Sequence, residues 1–308
     1  MPKKEFPYND KYASVYDSIW ITNDFIGGEV QHNVNKVGEI LTKDMKWLDC
    51  GCGTGYLLSK FPGYQRAGFD LTPAMLNQAG QVNKDLLFLR QKNILEDEPE
   101  WHNQWDLITC TGQPWSYLDT IHDIEKVAGH LAAYTKKGGT CMIAIIDIAD
   151  YIKAPNYHSF HYYHDIPVNV PVITSIIWDL KEEDAYHQAI IFPSADQWIR
   201  WMGKYFKKIE VSYYALPSPP IYVPRKVLIC TEKREPGDDT PVEVHNPPFV
   251  LTDDKKIRYL TKSEIEKRFT FPGINPRVID LPLSYFLERM KPWQVSFWKR
   301  IVKKLIGK

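Results

Sequence analysis

Two hydrophobic rhythms alternate along the chain. Apolar runs of strand length stand at "KWLDC" (46–50), "YQRAGFDL" (64–71), "LLFLRQ" (86–91), "WDLITC" (105–110) and "TCMIAIID" (140–147). Between them, apolar residues recur every three or four positions, the spacing of one helix face. "EVQHNVNKVGEIL" places Val30, Val34, Val37, Ile40 and Leu41 on such a face. "GYLLSKF" (55–61) opens a helix. "TPAMLNQAG" (72–80) continues the series with Thr72 as N-cap and Pro73 at the first helical position. "IHDIEKVAGHLAAYT" (121–135) is an amphipathic helix with Gly138-Gly139 as its expected stop. Buried strands that alternate with helices require right-handed crossovers and a parallel sheet covered on both faces.

The alternation breaks after Ile148. "PVITSIIWDLKEEDAYHQAIIFP" (171–193) reads as two strands around the polar turn "KEED", a hairpin. "SADQWIRWMGKYF" is a helix with Ser194 as N-cap, and "KKIEVSYYAL" and "RKVLICTEKR" form an antiparallel edge. The expected fold is therefore α/β: a doubly wound, mostly parallel seven-stranded sheet with an antiparallel edge, a hairpin insertion and a helical C-terminal extension. Three regions follow: an N-terminal lid segment (1–40), a main domain (41–234) with an insertion at 148–193, and a linker with a helical extension (235–308). "EPGDDTPVEVHNPP" (235–248) is a linker by composition, and "TKSEIEKRF" (261–269) a short capped helix.

Composition narrows the classes. The chain has 308 residues, with 38 basic and 38 acidic side chains, so no global field draws it to nucleic acid. Aromatics reach 13%, with 10 Trp and 18 Tyr, which suits either a ring-rich core or a site that grips something partly apolar. The five cysteines are odd in number and sit mostly in apolar runs, the pattern of reduced, buried thiols in a cytoplasmic protein. Cys50-x-Cys52 lacks a second pair at zinc spacing, so no metal is expected there. The N-terminus has no apolar signal core. No window reaches the roughly 18 apolar residues of a membrane span.

The chemistry centres on "DCGCGTG", Asp49 to Gly55, a glycine-rich loop between a buried strand and a helix. Backbone N–H groups and a helix dipole there favour a polar or anionic ligand, and glycine lets it approach the main chain. The spacing Gly51-x-Gly53-x-Gly55 is followed by Tyr56, not by the glycine of a dinucleotide G-x-G-x-x-G fingerprint, and the Gly-Lys-Ser/Thr of a P-loop is absent. The stretch resembles instead the first motif, D/E-x-G-x-G-x-G, of class I (Rossmann-like) S-adenosylmethionine-dependent methyltransferases of the small-molecule or sugar type. The resemblance covers Trp47 to Ile146 well and the strands to Glu232 more loosely.

That resemblance implies an enzyme with S-adenosylmethionine as cofactor. Asp49, Gly51, Cys52, Gly53 and Gly55 would wrap its methionine part. Asp70, 15 positions after Gly55 and at the end of "AGFD", would hold the ribose hydroxyls. Leu71 and Met75 match the adenine-lining stretch. At the end of the third strand, Asn93 occupies the place of the family's usual acidic residue, with Ile94 beside it and Asp97 as fallback. Thr111 would face the cofactor. In the lead "YNDKYASVYDSIW", Tyr12, Tyr16 and Asp17 match the family's Y-x-x-x-Y-D opening, in which tyrosines reach the methionine end; Tyr16 is also a catalytic candidate.

The acceptor site is expected in "TGQPWSYL", with Gln113, Trp115 and Tyr117 as lining or, for the two rings, as core. In the insertion, "YHSFHYYHDI" repeats His158, His161 and His164 every third residue, followed by Asp165. These are loop histidines in water, a general base, or a metal cluster; catalysis is the role assigned here, and no metal is assigned. Lead and insertion together would form a lid, which suits a small polar acceptor methylated on O or N, such as a sugar or nucleotide-sugar. Alternatives are a lipid-like or natural-product acceptor, or a catalytically silent adaptor at a membrane surface. The N/D-P-P-Y/F motif of amino-methylating DNA enzymes is missing after the fourth strand, and the "NPPF" at 246–249 lies in the linker, so no nucleic-acid partner is expected. The basic amphipathic segment "KPWQVSFWKRIVKKLIGK" (291–308) reads as an interfacial helix at the inner face of a membrane, or as a helix packed on its own domain or on the twin subunit of a homodimer.

Overall fold

The computed structural model describes residues 8–22, 27–147, 172–174, 177–180, 189–213, 225–246 and 274–277. Helix α1 (Asp10–Trp20) comes first, capped by Asn9, whose side chain accepts from the Tyr12 N–H. It occupies the lead, for which the sequence pattern indicates no helix. Helix α2 (Gly27–Ile40) begins at Gly27-Gly28 rather than after them. Then follow β1 (Lys46–Cys50), the single turn α3 (Tyr56–Ser59), β2 (Gln65–Asp70), α4 (Pro73–Val82), β3 (Leu89–Gln91), β4 (Trp105–Cys110), α5 (Ile121–Tyr134) and β5 (Thr135–Ile146). Short strands β6 (Val172–Thr174), β7 (Ile177–Leu180) and β8 (Ala189–Ile191) precede α6 (Ala195–Met202), β9 (Phe206–Tyr213), β10 (Arg225–Lys233), β11 (Glu243–His245) and β12 (Ile274–Arg277).

The main sheet runs β11-β9-β10-β5-β4-β1-β2-β3. Strands β5, β4, β1, β2 and β3 are parallel, and β10 is antiparallel to both β5 and β9. The expected seven strands are joined by an eighth, β11, which pairs parallel to β9 from within the stretch that reads as a linker. Its three residues are all exposed, so nothing in their polarity marks them; the free edge of β9 does.

Side-chain alternation along the strands feeds two cores. Leu48, Cys50, Ile108, Cys110, Cys141, Ile143 and Ile145 face one layer, with α1, α4, α5 and α6. Trp47, Leu107, Met142, Ala144 and Val227 face the other, with Val37 of α2, Leu41 just past its end, and Leu57 and Leu58 of α3. All five cysteines are buried free thiols.

Two expectations change. Helix α5 ends at Tyr134, not at Gly138-Gly139, because Thr135 both caps it and starts β5. The glycines sit in an irregular opening of β5, where the register with β4 slips between Trp105 and Leu107. A Cβ on Gly139 would stand 3.0 Å or less from the carbonyls of Trp105, Asp106 and Lys136, so close backbone approach demands glycine there. The expected hairpin is also divided: β6 pairs with β8, while β7 pairs antiparallel with β12 from the C-terminal extension. Such a contact, between segments nearly a hundred positions apart, has no sequence-local signal.

Candidate active site

After β1 the chain moves outward through β2 and β3, then returns to β4 on the other side of β1. The carboxyl ends of β1 and β4 thus diverge into a crevice, the usual ligand position in such sheets. The glycine loop after β1 and the 111–117 segment after β4 form its walls.

Gly51, Gly53 and Gly55 all have positive φ, at 74°, 53° and 72°. Their surroundings differ. A Cβ on Gly51 would overlap the Pro114 ring, 2.4 Å away, and one on Gly55 would strike Asn83 and Ala79 of α4. A Cβ on Gly53 would meet no atom within 4 Å. Two glycines therefore let protein pack on protein, and the middle one faces open space. Since α3 is a single turn, bare backbone rather than a long helix dipole makes this loop a cradle.

Asp70 closes the loop from β2. Its Oδ2 accepts from the Gly53 N–H and its Oδ1 from the Thr72 N–H, both at 2.9 Å. The Thr72 hydroxyl and the Leu71 N–H add to these donors, so both Asp70 oxygens are held in a fixed orientation at the end of β2. Burial raises its pKa, opposed by those N–H donors. Asp49 is more deeply enclosed: burial pushes its carboxyl up to about 7, against the pull of the Thr109 hydroxyl, which donates to Oδ1 at 2.6 Å. The Trp47 indole N–H donates in turn to Thr109 Oγ1 at 2.8 Å. This relay ties β1 to β4 beneath the crevice. Cys52 is buried, and burial holds its thiol well above the ordinary range, so only its backbone serves the loop.

The lead helix covers the crevice. Thr54 Oγ1 in the loop donates to Asp17 Oδ1 on α1 at 2.5 Å. Tyr8, Tyr12 and Tyr16 stack edge-on or tilted against one another, and the Tyr8 hydroxyl donates to the Tyr117 hydroxyl at 3.0 Å. Burial raises the Tyr16 pKa far above its usual value, with Tyr117, Asp70, Asp17 and Glu29 adding to it. Tyr16 therefore stays a neutral phenol among these groups.

Among the other expected residues, Met75 is buried in the core under α1, and Leu71 is 38% exposed at the crevice mouth. Asn93 turns its amide oxygen to the Leu95 N–H at 3.0 Å, and Ile94 is half-buried beside it. Asp97 instead pairs with His102 at 2.9 Å. Thr111 lies at the open end of β4. Gln113 has a left-handed backbone, and its Nε2 donates to Glu29 Oε1 at 3.0 Å. Trp115 is fully buried against Trp198 and Phe192, so its ring is core rather than pocket wall. His158, His161 and His164 and the 291–308 segment lie outside the described residues.

Several side chains enter that sequence reasoning did not single out. Glu29 and His32 share one face of α2; Glu29 reaches Gln113, and His32 Nε2 lies 3.3 Å from Ser212 Oγ on β9. Asp147 and Lys226 form a buried ion pair at 2.6 Å, where β5 ends and β10 begins. The polar face of α2 was visible in its spacing, but its destination was not. Among the described residues, no group of three or more His, Cys, Asp or Glu gathers to hold a metal, and no helix is long and apolar enough to cross a membrane.

Open space at Gly53, a two-oxygen acceptor at Asp70 and a roof of neutral phenols fit an adenosyl sulfonium with its amino-acid tail. Residues 23–205 match the family model of the methyltransferase domain, and the chain belongs to that family, the Rossmann-like methyltransferases that use S-adenosylmethionine. It is 28% identical over 149 residues to the dTDP-4-amino-2,3,4,6-tetradeoxy-D-glucose N,N-dimethyltransferase of Saccharopolyspora spinosa, across 44% of this chain and 55% of that relative. The chain thus spans about half the length of the curated relative it matches. In fold it is similar to the CcbJ methyltransferase from Streptomyces caelestis, with TM-score 0.51 and 13% identity over 73% of this chain and 97% of that structure.

Proposed function

We propose that the chain transfers a methyl group from S-adenosylmethionine to oxygen or nitrogen of a small polar acceptor, a sugar or nucleotide-sugar. The observation that carries this reading is the roof. Helix α1 is tied to the glycine loop through Thr54–Asp17, and Tyr8 just before it to the post-β4 segment through Tyr117, a cover that suits a small acceptor better than an extended polymer. The partial likeness to a nucleotide-aminosugar dimethyltransferase supports the same class.

The roles follow from chemistry. The cofactor, once bound, supplies an electrophilic methyl on a sulfonium. Gly53 and its neighbours admit the methionine portion, and Asp70 accepts from the ribose hydroxyls. Leu71 and Ile94 flank the base. Tyr12 and Tyr16 exclude water from the sulfonium side. Gln113 and Tyr117 line the acceptor in this reading, and aligning it with the methyl supplies most of what the protein must do.

Calorimetric titration with S-adenosylmethionine tests the cofactor site. Asp70→Asn removes a charged acceptor and is expected to weaken binding roughly 10- to 100-fold. A screen of nucleotide-sugars for turnover tests the acceptor class. Undiminished binding by Asp70→Asn, or turnover confined to a peptide or nucleic acid, overturns the reading.

A further inference from the structure

From a buried amide oxygen that lacks a donor, we infer that Asn33 of α2 binds the α-ammonium group on the cofactor's methionine tail. The inference rests on the proposed cofactor roles and deepens them; it is independent of the acceptor.

Asn33 is 3% exposed, and its Oδ1 is buried with no hydrogen-bond partner. A buried acceptor without a donor weakens a fold, so each one in a native chain calls for a reason. Its place supplies one. Glu29, Asn33 and Val37 of α2, with Leu41 just past its end, are buried and four positions apart, so they form one stripe. One half of the stripe is apolar: Val37 and Leu41 join the core that holds Trp47 of β1. The other half turns polar where the helix reaches the segment after β4. Asn33 is bracketed between the two. One turn before it, Glu29 accepts from Gln113, and the adjoining Pro114 ring lies where a Cβ on Gly51 would stand, 2.4 Å away. One turn after it, Val37 shares its core with Trp47, whose indole N–H reaches Thr109, which in turn donates to Asp49. Both brackets lead to one short stretch, Asp49 to Gly51, where the glycine loop begins. Asn33 therefore belongs to the β1–β4 side of the crevice.

Chemistry selects the group that meets it. An amide oxygen accepts and never donates. The cofactor carries three kinds of donor: the adenine amino group, the ribose hydroxyls and the α-ammonium. Asp70 at the end of β2 takes the ribose, and Leu71 and Ile94 flank the base, so the first two kinds lie on the β2–β3 side. The ammonium is the donor left for the β1–β4 side. It is also the strongest of the three, because a charge-assisted hydrogen bond is about twice as strong as a neutral one.

The experiment titrates the full chain calorimetrically with two probes. S-adenosylhomocysteine carries the ammonium; S-adenosyl-4-thiobutyrate keeps the carboxylate and has hydrogen in its place. The wild type is expected to bind the first more tightly. Asn33→Leu, which removes the acceptor at similar volume, is expected to lose roughly 10- to 100-fold in affinity for S-adenosylhomocysteine, while the des-amino probe shifts by less than about threefold. The ratio of the two affinities is read within each variant, so a general loosening of the fold cancels. Asn33→Ala, which leaves a small cavity instead of a bulkier side chain, is expected to show the same collapse of that ratio. A ratio unchanged by both substitutions, or equal losses on the two probes, overturns the role of Asn33 and leaves the cofactor reading intact. Failure of the wild type to bind S-adenosylhomocysteine overturns the cofactor reading and takes this assignment with it.

Discussion

The two glycines Gly53 and Gly55 offer a direct test, because alanine at each has a different physical meaning. Gly53 has φ 53°, and an added Cβ meets nothing within 4 Å. Within the protein, Gly53→Ala then costs only the left-handed penalty of an L-residue, about 1–2 kcal/mol. For a chain of this size that lowers Tm by roughly 2–6 °C. Gly55 carries the same penalty at φ 72°, but its Cβ would lie 2.6 Å from Asn83 Nδ2, 2.9 Å from the Ala79 Cβ and 3.1 Å from the Ala79 Cα. Ala79 belongs to α4 and has no rotamer to yield, and Asn83 Nδ2 already donates to the Gly55 carbonyl at 3.0 Å. Overpacking adds about 1–3 kcal/mol, for a total of roughly 2–5 kcal/mol. Cofactor binding should rank the other way. The new methyl on residue 53 fills space the methionine portion needs and should weaken S-adenosylmethionine at least about tenfold, or 1.4 kcal/mol. The folded fraction of Gly55→Ala should bind within a few-fold of wild type. Thermal unfolding followed by circular dichroism gives the first ranking and isothermal calorimetry the second. If Gly53→Ala bound the cofactor like wild type, or lost as much stability as Gly55→Ala, the open space at the loop would not be the ligand's space.

Other expectations rest on single contacts. Asp49 keeps its proton in the folded chain to about pH 7, whereas the unfolded chain releases it near pH 4. Rising pH between these values therefore favours unfolding, with a slope approaching about 1.4 kcal/mol per pH unit, and the slope vanishes above the folded pKa. Asp49→Asn should flatten the Tm-against-pH curve over that window; an unchanged curve would mean that Asp49 ionises normally. Thr54→Val removes the hydroxyl that holds Asp17, so amide exchange across residues 10–20 should quicken about tenfold while β1 stays protected. Uniform quickening would place the damage in the loop instead of the roof. Ser194→Ala removes the cap that accepts from the Gln197 N–H and should cost about 1 kcal/mol, read from chemical denaturation.

Much of the central fold was legible because its signals are local. Strands β1 and β4 match their apolar runs to the residue, since a buried parallel strand needs continuous hydrophobicity and little else. Pro73 begins α4 and Ser194 caps α6 for equally local reasons. The misread elements depended on partners. Gly138-Gly139 looked like a helix stop because glycine usually is one, yet the close carbonyls of β4 are what require it. Strand β11 needed the edge of β9, and β7 needed β12.

The site divides along the same line. One-dimensional spacing determined the glycine loop and the acid at the end of β2, because loop, strand and acid are contiguous and each has its own residue signature; the cofactor class came from the resemblance of that pattern to a known family's motif. Tertiary structure alone decided which glycine faces open space, that Trp115 is core, and that Glu29 from α2 meets Gln113 from the segment after β4. Those facts depend on which surfaces the crossovers bring within a few ångströms, and a linear pattern of polarity records that a side chain is polar without recording what stands opposite it.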